Sequence, residues 1–124
     1  MSITDGQRAM INRIVENAAV DVVLPNGPGK SCPRFVVQEA GGAQSRVGVS
    51  IMTDADPEIV VRVETDTDYA TENNALVKAL VALFRPSDEF DGVTILDAPL
   101  PRPPLPVIEG VYSVPVIIRG RMNF

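Results

Sequence analysis

Gly29-Lys30-Ser31 is the first place along the chain where residue types and spacing could do chemistry. A glycine-rich loop ending in Gly-Lys-Ser can cradle a nucleotide, because backbone N–H groups wrap the phosphates and the lysine reaches the terminal ones. That cradle needs a glycine five positions before Gly29, and Leu24 stands there. Pro25 and Pro28 have no N–H to donate, and Pro33 leads into RFVVQEAGG, which reads as a strand. A phosphate site needs a helix N-terminus at that point instead. The segment VVLPNGPGKSCP, from Val22 to Pro33, is therefore read as a proline-glycine turn between two strands.

The other reactive residues are few. The chain has no histidine, which excludes a Ser-His-Asp or Cys-His centre and any His-ligated metal. Cys32 is the single cysteine, so no intrachain disulfide forms, and the residue reads as a small, partly buried thiol suited to a reducing compartment. Two acidic clusters stand out: TDADPE with Asp54, Asp56 and Glu58, and ETDTD with Glu64, Asp66 and Asp68. Alternating acids can ligate calcium, but the turn glycine and the closing bidentate glutamate of a calcium loop are missing. Turn formation and helix capping account for these acids. The composition thus points away from an enzyme and from any bound cofactor or metal.

APLPRPPLP, residues 98–106, has the make-up of a polyproline II segment. Arg102 is misplaced for an SH3 ligand in either orientation, since Leu105 stands where the arginine-first form needs proline. A semi-rigid connector is the better reading, and so long a link in a small domain suits an interaction surface.

The totals set the frame for these segments. A chain of 124 residues fits one domain, taken as residues 1–124, with a single core. The formal charge of −5 repels nucleic-acid phosphates. No apolar run approaches the roughly 20 residues of a membrane span, so no membrane partner is expected. The start MSITDGQRAM lacks the basic and apolar regions of a secretion signal.

Periodicity supplies the elements. Ile3, Met10, Ile11, Ile14, Val15 and Ala18 form one stripe of a helix over residues 3–19, with Ser2 or Thr4 as its cap. Four period-two stretches follow, on Val20-Val22-Leu24, Phe35-Val37, Val47-Val49-Ile51 and Ile59-Val61-Val63. AGGAQS and TDADP read as the turns joining the last three. TDTDYATENNALVKALVALF is a second helix with Leu76, Val77, Leu80, Val81, Leu83 and Phe84 on its apolar face. Thr67 or Asp68 caps it, alanines 75, 79 and 82 allow close packing, and Arg85-Pro86 ends it. VTILD and a last strand over Tyr112, Val114, Val116 and Ile118 complete the order, with Pro115 placing that strand at an edge or at a bulge. The fold class is α+β: a mostly antiparallel twisted sheet of about five to six strands with two helices packed on one face.

From NALVKALVALF to the end, the chain resembles the tail terminator (tail completion) proteins of long-tailed bacteriophages and gene-transfer particles. The shared features are an alanine-leucine helix ending in Phe84, a short strand leading to an Ala-Pro step over Val93 to Pro99, a variable connector, and an aromatic-led final strand containing a proline, Tyr112 to Ile118. Upstream, LPNGPGKSCPRFVVQEAGG is similar to that family's proline-bearing turn before a long strand. The proline-rich connector is longer than the family pattern, and TDTDYATENN lacks the glycine expected before the second helix.

The resemblance implies a virion protein, made in the host cytoplasm, that assembles as a homo-oligomeric, hexameric ring on the head-proximal end of the tail tube. Such a ring stops tube polymerisation and meets the head-tail connector or stopper protein. DNA passes through its lumen without specific binding. On this view Leu100, Arg102 and Leu105 of the connector, with Arg119, Arg121 and Phe124 of the last strand and tail, are subunit or tube contacts. Asp54, Asp56, Glu58, Glu64 and Asp66 are candidates to line the lumen. Two other readings stay open: another head-tail or tube component of related fold, and a small-molecule-binding α+β module whose mouth is the turn near residues 25–30. Assembly state separates them.

Overall fold

In the computed structural model, which describes residues 3–46, 53–66 and 70–123, the period-two stretches around Phe35, Ile59 and Val116 lie in long strands. The elements in order are α1 (Ile3–Asn17), β1 (Asp21–Val23), β2 (Arg34–Arg46), β3 (Thr53–Asp66), α2 (Ala70–Ala82), β4 (Glu89–Phe90), β5 (Val93–Ile95), β6 (Leu100–Pro101) and β7 (Val111–Asn123). The sheet runs β1-β2-β3-β7-β5-β4, and β6 also pairs with β7. Every pairing is antiparallel except the short parallel one between β1 and β2.

One face of the sheet carries the core. Phe35 and Val37 of β2, Ile59, Val61 and Val63 of β3, and Val116 and Ile118 of β7 are buried there against Met10, Ile11 and Ile14 of α1 and Leu80 of α2. α1 lies on β2 and β3, and α2 lies on β3 and β7. Side-chain hydrogen bonds lock both helices down. Arg13 of α1 donates to the Leu83 carbonyl at the end of α2 (2.7 Å), and its guanidinium sits 4.6 Å from the Phe90 ring centroid. Asn73, fully buried in α2, donates to the Val63 carbonyl (2.8 Å) and to Thr65 Oγ1 (3.2 Å) of β3.

Two expected turns are strand instead. AGGAQS lies within β2 and TDADP within β3. Ala40 and Gly41 form a bulge between Glu39 and Gly42, and Gly42 stands opposite Pro57 of β3. The bare nitrogen of Pro57 faces β7 instead, where the pairing passes from Ala55–Met122 directly to Glu58–Arg119. Val47, Val49 and Ile51, expected as a separate strand, lie outside the described residues, as do the caps Ser2, Thr67 and Asp68. Thr4 stands inside α1, which begins at Ile3. Val15 is 48% exposed rather than on the buried stripe, and Ala75, Ala79 and Ala82 face solvent, favouring the helix by propensity and not by packing.

β7 is central, not an edge. β3 pairs with one side of it, while β5, β6 and the rest of the connector take the other. Arg102 N–H donates to the Pro115 carbonyl (2.8 Å) and Leu105 N–H to the Ser113 carbonyl (2.9 Å). Because N–H and C=O of one strand residue point the same way, the missing donor of Pro115 faces the connector and does not interrupt the β3–β7 pairing at Arg62. The connector therefore runs back along β7 and closes in a tight turn from Ile108 to Val111. Glu109 and Gly110 there both have positive φ (53° and 75°), the primed form that matches strand twist.

Gly120 shows how closely β5 approaches β7. A Cβ there would lie 2.5 Å from Val93 Cγ1, on a stiff, fully buried side chain. Gly120→Ala is expected to destabilise the fold by about 1–2 kcal/mol. In a double-mutant cycle measured by urea unfolding, adding Val93→Ala should cost less in that background than alone.

Candidate assembly interface

The face of the sheet away from the helices is built from alternate residues of β3 and β7. Antiparallel register sets Glu58 opposite Arg119, and their side chains pair at 2.7 Å. One step along, Asp56 pairs with Arg121 at 2.8 Å. At the other end of the face, Glu64 is only 8% exposed and holds Arg34 Nε at 2.6 Å and Arg62 Nε at 3.4 Å, while accepting from Ser113 Oγ at 3.3 Å. The hydrogen bond to Glu64 binds the proton of Arg34 more firmly than usual, and the bond to Glu58 does the same for Arg119.

The expected lumen acids thus divide. Asp56, Glu58 and Glu64 are each matched by arginine, and Glu64 sits in a buried ion-pair cluster rather than on a free acidic face. Burial and two cationic neighbours, drawn in by the sheet register, decide this. Asp66 is exposed at the end of β3, opposite Val111. Asp54 is placed by its backbone pairing with Asn123. Arg119 and Arg121, expected as subunit contacts, share the face of the acids they pair with. Phe124 lies outside the described residues. Exposed pairs contribute little, so Arg121→Ala should leave the unfolding free energy within about 0.5 kcal/mol of the parent in urea titration.

The connector carries four of the exposed large apolar residues. Leu100, Leu105, Val107 and Ile108 are 41–69% exposed on this one segment, and Arg102 beside them has no ion-pair partner among the described residues. Leu105, Pro106 and Ile108 wall a groove of about 410 Å³ whose floor is the Arg34–Glu64–Arg62 cluster.

At the opposite end of the sheet, Leu24 to Gly27 close a turn through Gly27 N–H and the Leu24 carbonyl (2.8 Å), with Asn26 at φ 58°. The Gly-Lys-Ser segment that follows belongs to the loop between β1 and β2, with no helix after it. Beside the turn lies a second open groove of about 420 Å³, reaching along the outer edge of β2 to Glu39. Cys32 is half-buried in the same loop, and burial raises its thiol pKa. Among the described residues no group of three or more acids and cysteines stands close enough to hold a metal ion, and no helix is long and apolar enough to cross a membrane.

The cross-strand charges left a sequence signal, acids at 56 and 58 and arginines at 119 and 121, both spaced by two as strand faces require. The signal was unreadable without knowing that β3 and β7 are neighbours.

No protein-family model and no curated protein sequence matches the chain. Among solved structures, the chain is similar to one from the virion of a native gene transfer agent particle, with a TM-score of 0.64 at 13% identity, over 95% of this chain and 94% of that one. A second solved chain shares the fold with a TM-score of 0.68 at 18% identity, over 100% of this chain and 97% of its own.

Proposed function

We propose that this protein is a structural component of a virion that forms a closed ring on the head-proximal end of a tail tube. The ring ends tube polymerisation, offers a surface to the head-tail connector and lets DNA pass through its lumen. The observation that carries this reading is the end-to-end likeness in fold to a chain of a gene transfer agent virion. The sequence resemblance to tail terminators points the same way.

Two features of the molecule fit such a ring. Its sheet ends in two unlike surfaces, an apolar connector and an open strand edge, and a ring is closed by repeating one contact between unlike surfaces. The face bearing Asp56–Arg121 and Glu58–Arg119 presents matched charges, which suits a lumen that must neither grip nor strongly repel a sliding polyanion. Asp66, exposed at the end of β3, adds acidity there. No step of this function is chemical.

Native mass spectrometry with negative-stain imaging, at several concentrations and then with tail tubes added, tests the proposal. A closed hexameric ring, free or only on tube ends, is the expected result. Open filaments would assign the chain to the tube itself. A monomer that ignores tube ends would overturn the proposal and favour a ligand-binding module, with the groove beside Leu24 to Gly27 as its site.

A further inference from the structure

We infer that the connector of one copy, residues 100–108, seats in the groove along β1 and β2 of the next copy. The inference rests on the ring reading in requiring repeated head-to-tail contact, and it names the two surfaces that meet. Backbone chemistry is the first argument. β1 covers β2 only as far as Val36, and among the described residues no strand pairs with the outer edge of β2 beyond it. Such an edge is left with unpaired donors and acceptors. On the connector, Pro101, Pro103, Pro104 and Pro106 have no N–H, and the N–H groups of Arg102 and Leu105 are already used on β7. From 101 to 106 the connector therefore turns only carbonyls outward. It can accept from the β2 edge but cannot form a ladder with another connector.

Charge and shape agree with that pairing. Glu39 is the only charged residue lining the groove; it is exposed and has no ion-pair partner among the described residues. Arg102 is the only charged residue among residues 98–106 and is likewise unpaired. Two grooves meeting face to face would set Glu39 against its own copy, whereas groove and connector set it near Arg102. Leu24, 47% exposed at the groove, offers the exposed connector leucines an apolar partner. Groove and connector flank opposite sides of the β2-β3-β7 centre of the sheet, the arrangement a heterologous contact requires.

The test uses the full chain with Cys32→Ser. One preparation carries Gln38→Cys, another Val107→Cys, and the two are mixed with a short bismaleimide cross-linker. The expected result is a covalent dimer in the mixture and little in either preparation alone; a chain carrying both changes should yield a ladder ending in a closed ring. In parallel, Glu39→Arg and Arg102→Glu should each weaken self-association about tenfold, and the double reversal should restore it. Circular dichroism on each variant checks folding, and the cross-link stands independently of the charge variants. Rings that form without the 38–107 cross-link, or that cross-link only 38 to 38, would overturn this inference and leave the ring reading intact. A chain that stays monomeric with and without tubes would overturn both.

Discussion

Phe84→Ala is expected to lower the unfolding free energy by about 3–5 kcal/mol, a large share of what a domain of this size has. Phe84 follows α2 and is fully buried, with its ring edge-on to Phe90 at a centroid distance of 5.9 Å. It stands where the chain leaves α2, held by its N–H to the Val81 carbonyl (3.2 Å), and the same region is clasped by Arg13. Truncation removes the apolar area and leaves a void between stiff neighbours on β-strands that cannot collapse into it. Urea unfolding followed by circular dichroism reads the loss directly. A change below about 1 kcal/mol would mean the void is refilled and that Phe84 is not a core anchor.

Glu64→Gln is the second, at about 2–3 kcal/mol. The amide keeps the size and one acceptor but removes the charge that two arginines share. Arg62 Nε is buried and has Glu64 as its ion partner at 3.4 Å, and Arg34 Nε lies at 2.6 Å. Both arginine side chains keep a quarter to a third of their surface in water, which holds the cost below that of a wholly buried pair. The exposed Asp66, two residues on, is the control: Asp66→Asn should change stability by less than about 0.5 kcal/mol. Equal effects at the two positions would show that the cluster does not bind β2, β3 and β7 together.

Much of the fold was legible from residue types. The helical stripe of Met10, Ile11 and Ile14, the alternation of Ile59, Val61 and Val63, and that of Val114, Val116 and Ile118 each report a periodicity set by local backbone geometry. The turn at Leu24 to Gly27 was legible for the same reason: a proline and an asparagine at positive φ are local preferences. Gly41 and Pro57 misled because glycine and proline mark any interrupted pairing, a bulge as readily as a turn.

What the linear order could not decide is which strands become neighbours. The final strand reads as an edge, or as bulged, because Pro115 lacks a donor. It is central because the connector, itself short of donors, lies along the side where Pro115 needs none. The acids of β3 read as two clusters of turn and capping residues; pairing with β7 brings Arg119 and Arg121 to Glu58 and Asp56, and β2 brings Arg34 to Glu64. Residue types determined the helices, the strand faces, the turn that replaces a phosphate loop and the lack of histidine chemistry. Tertiary structure alone decided which of the described charges are paired and which strands adjoin, because those depend on register between strands far apart in the sequence.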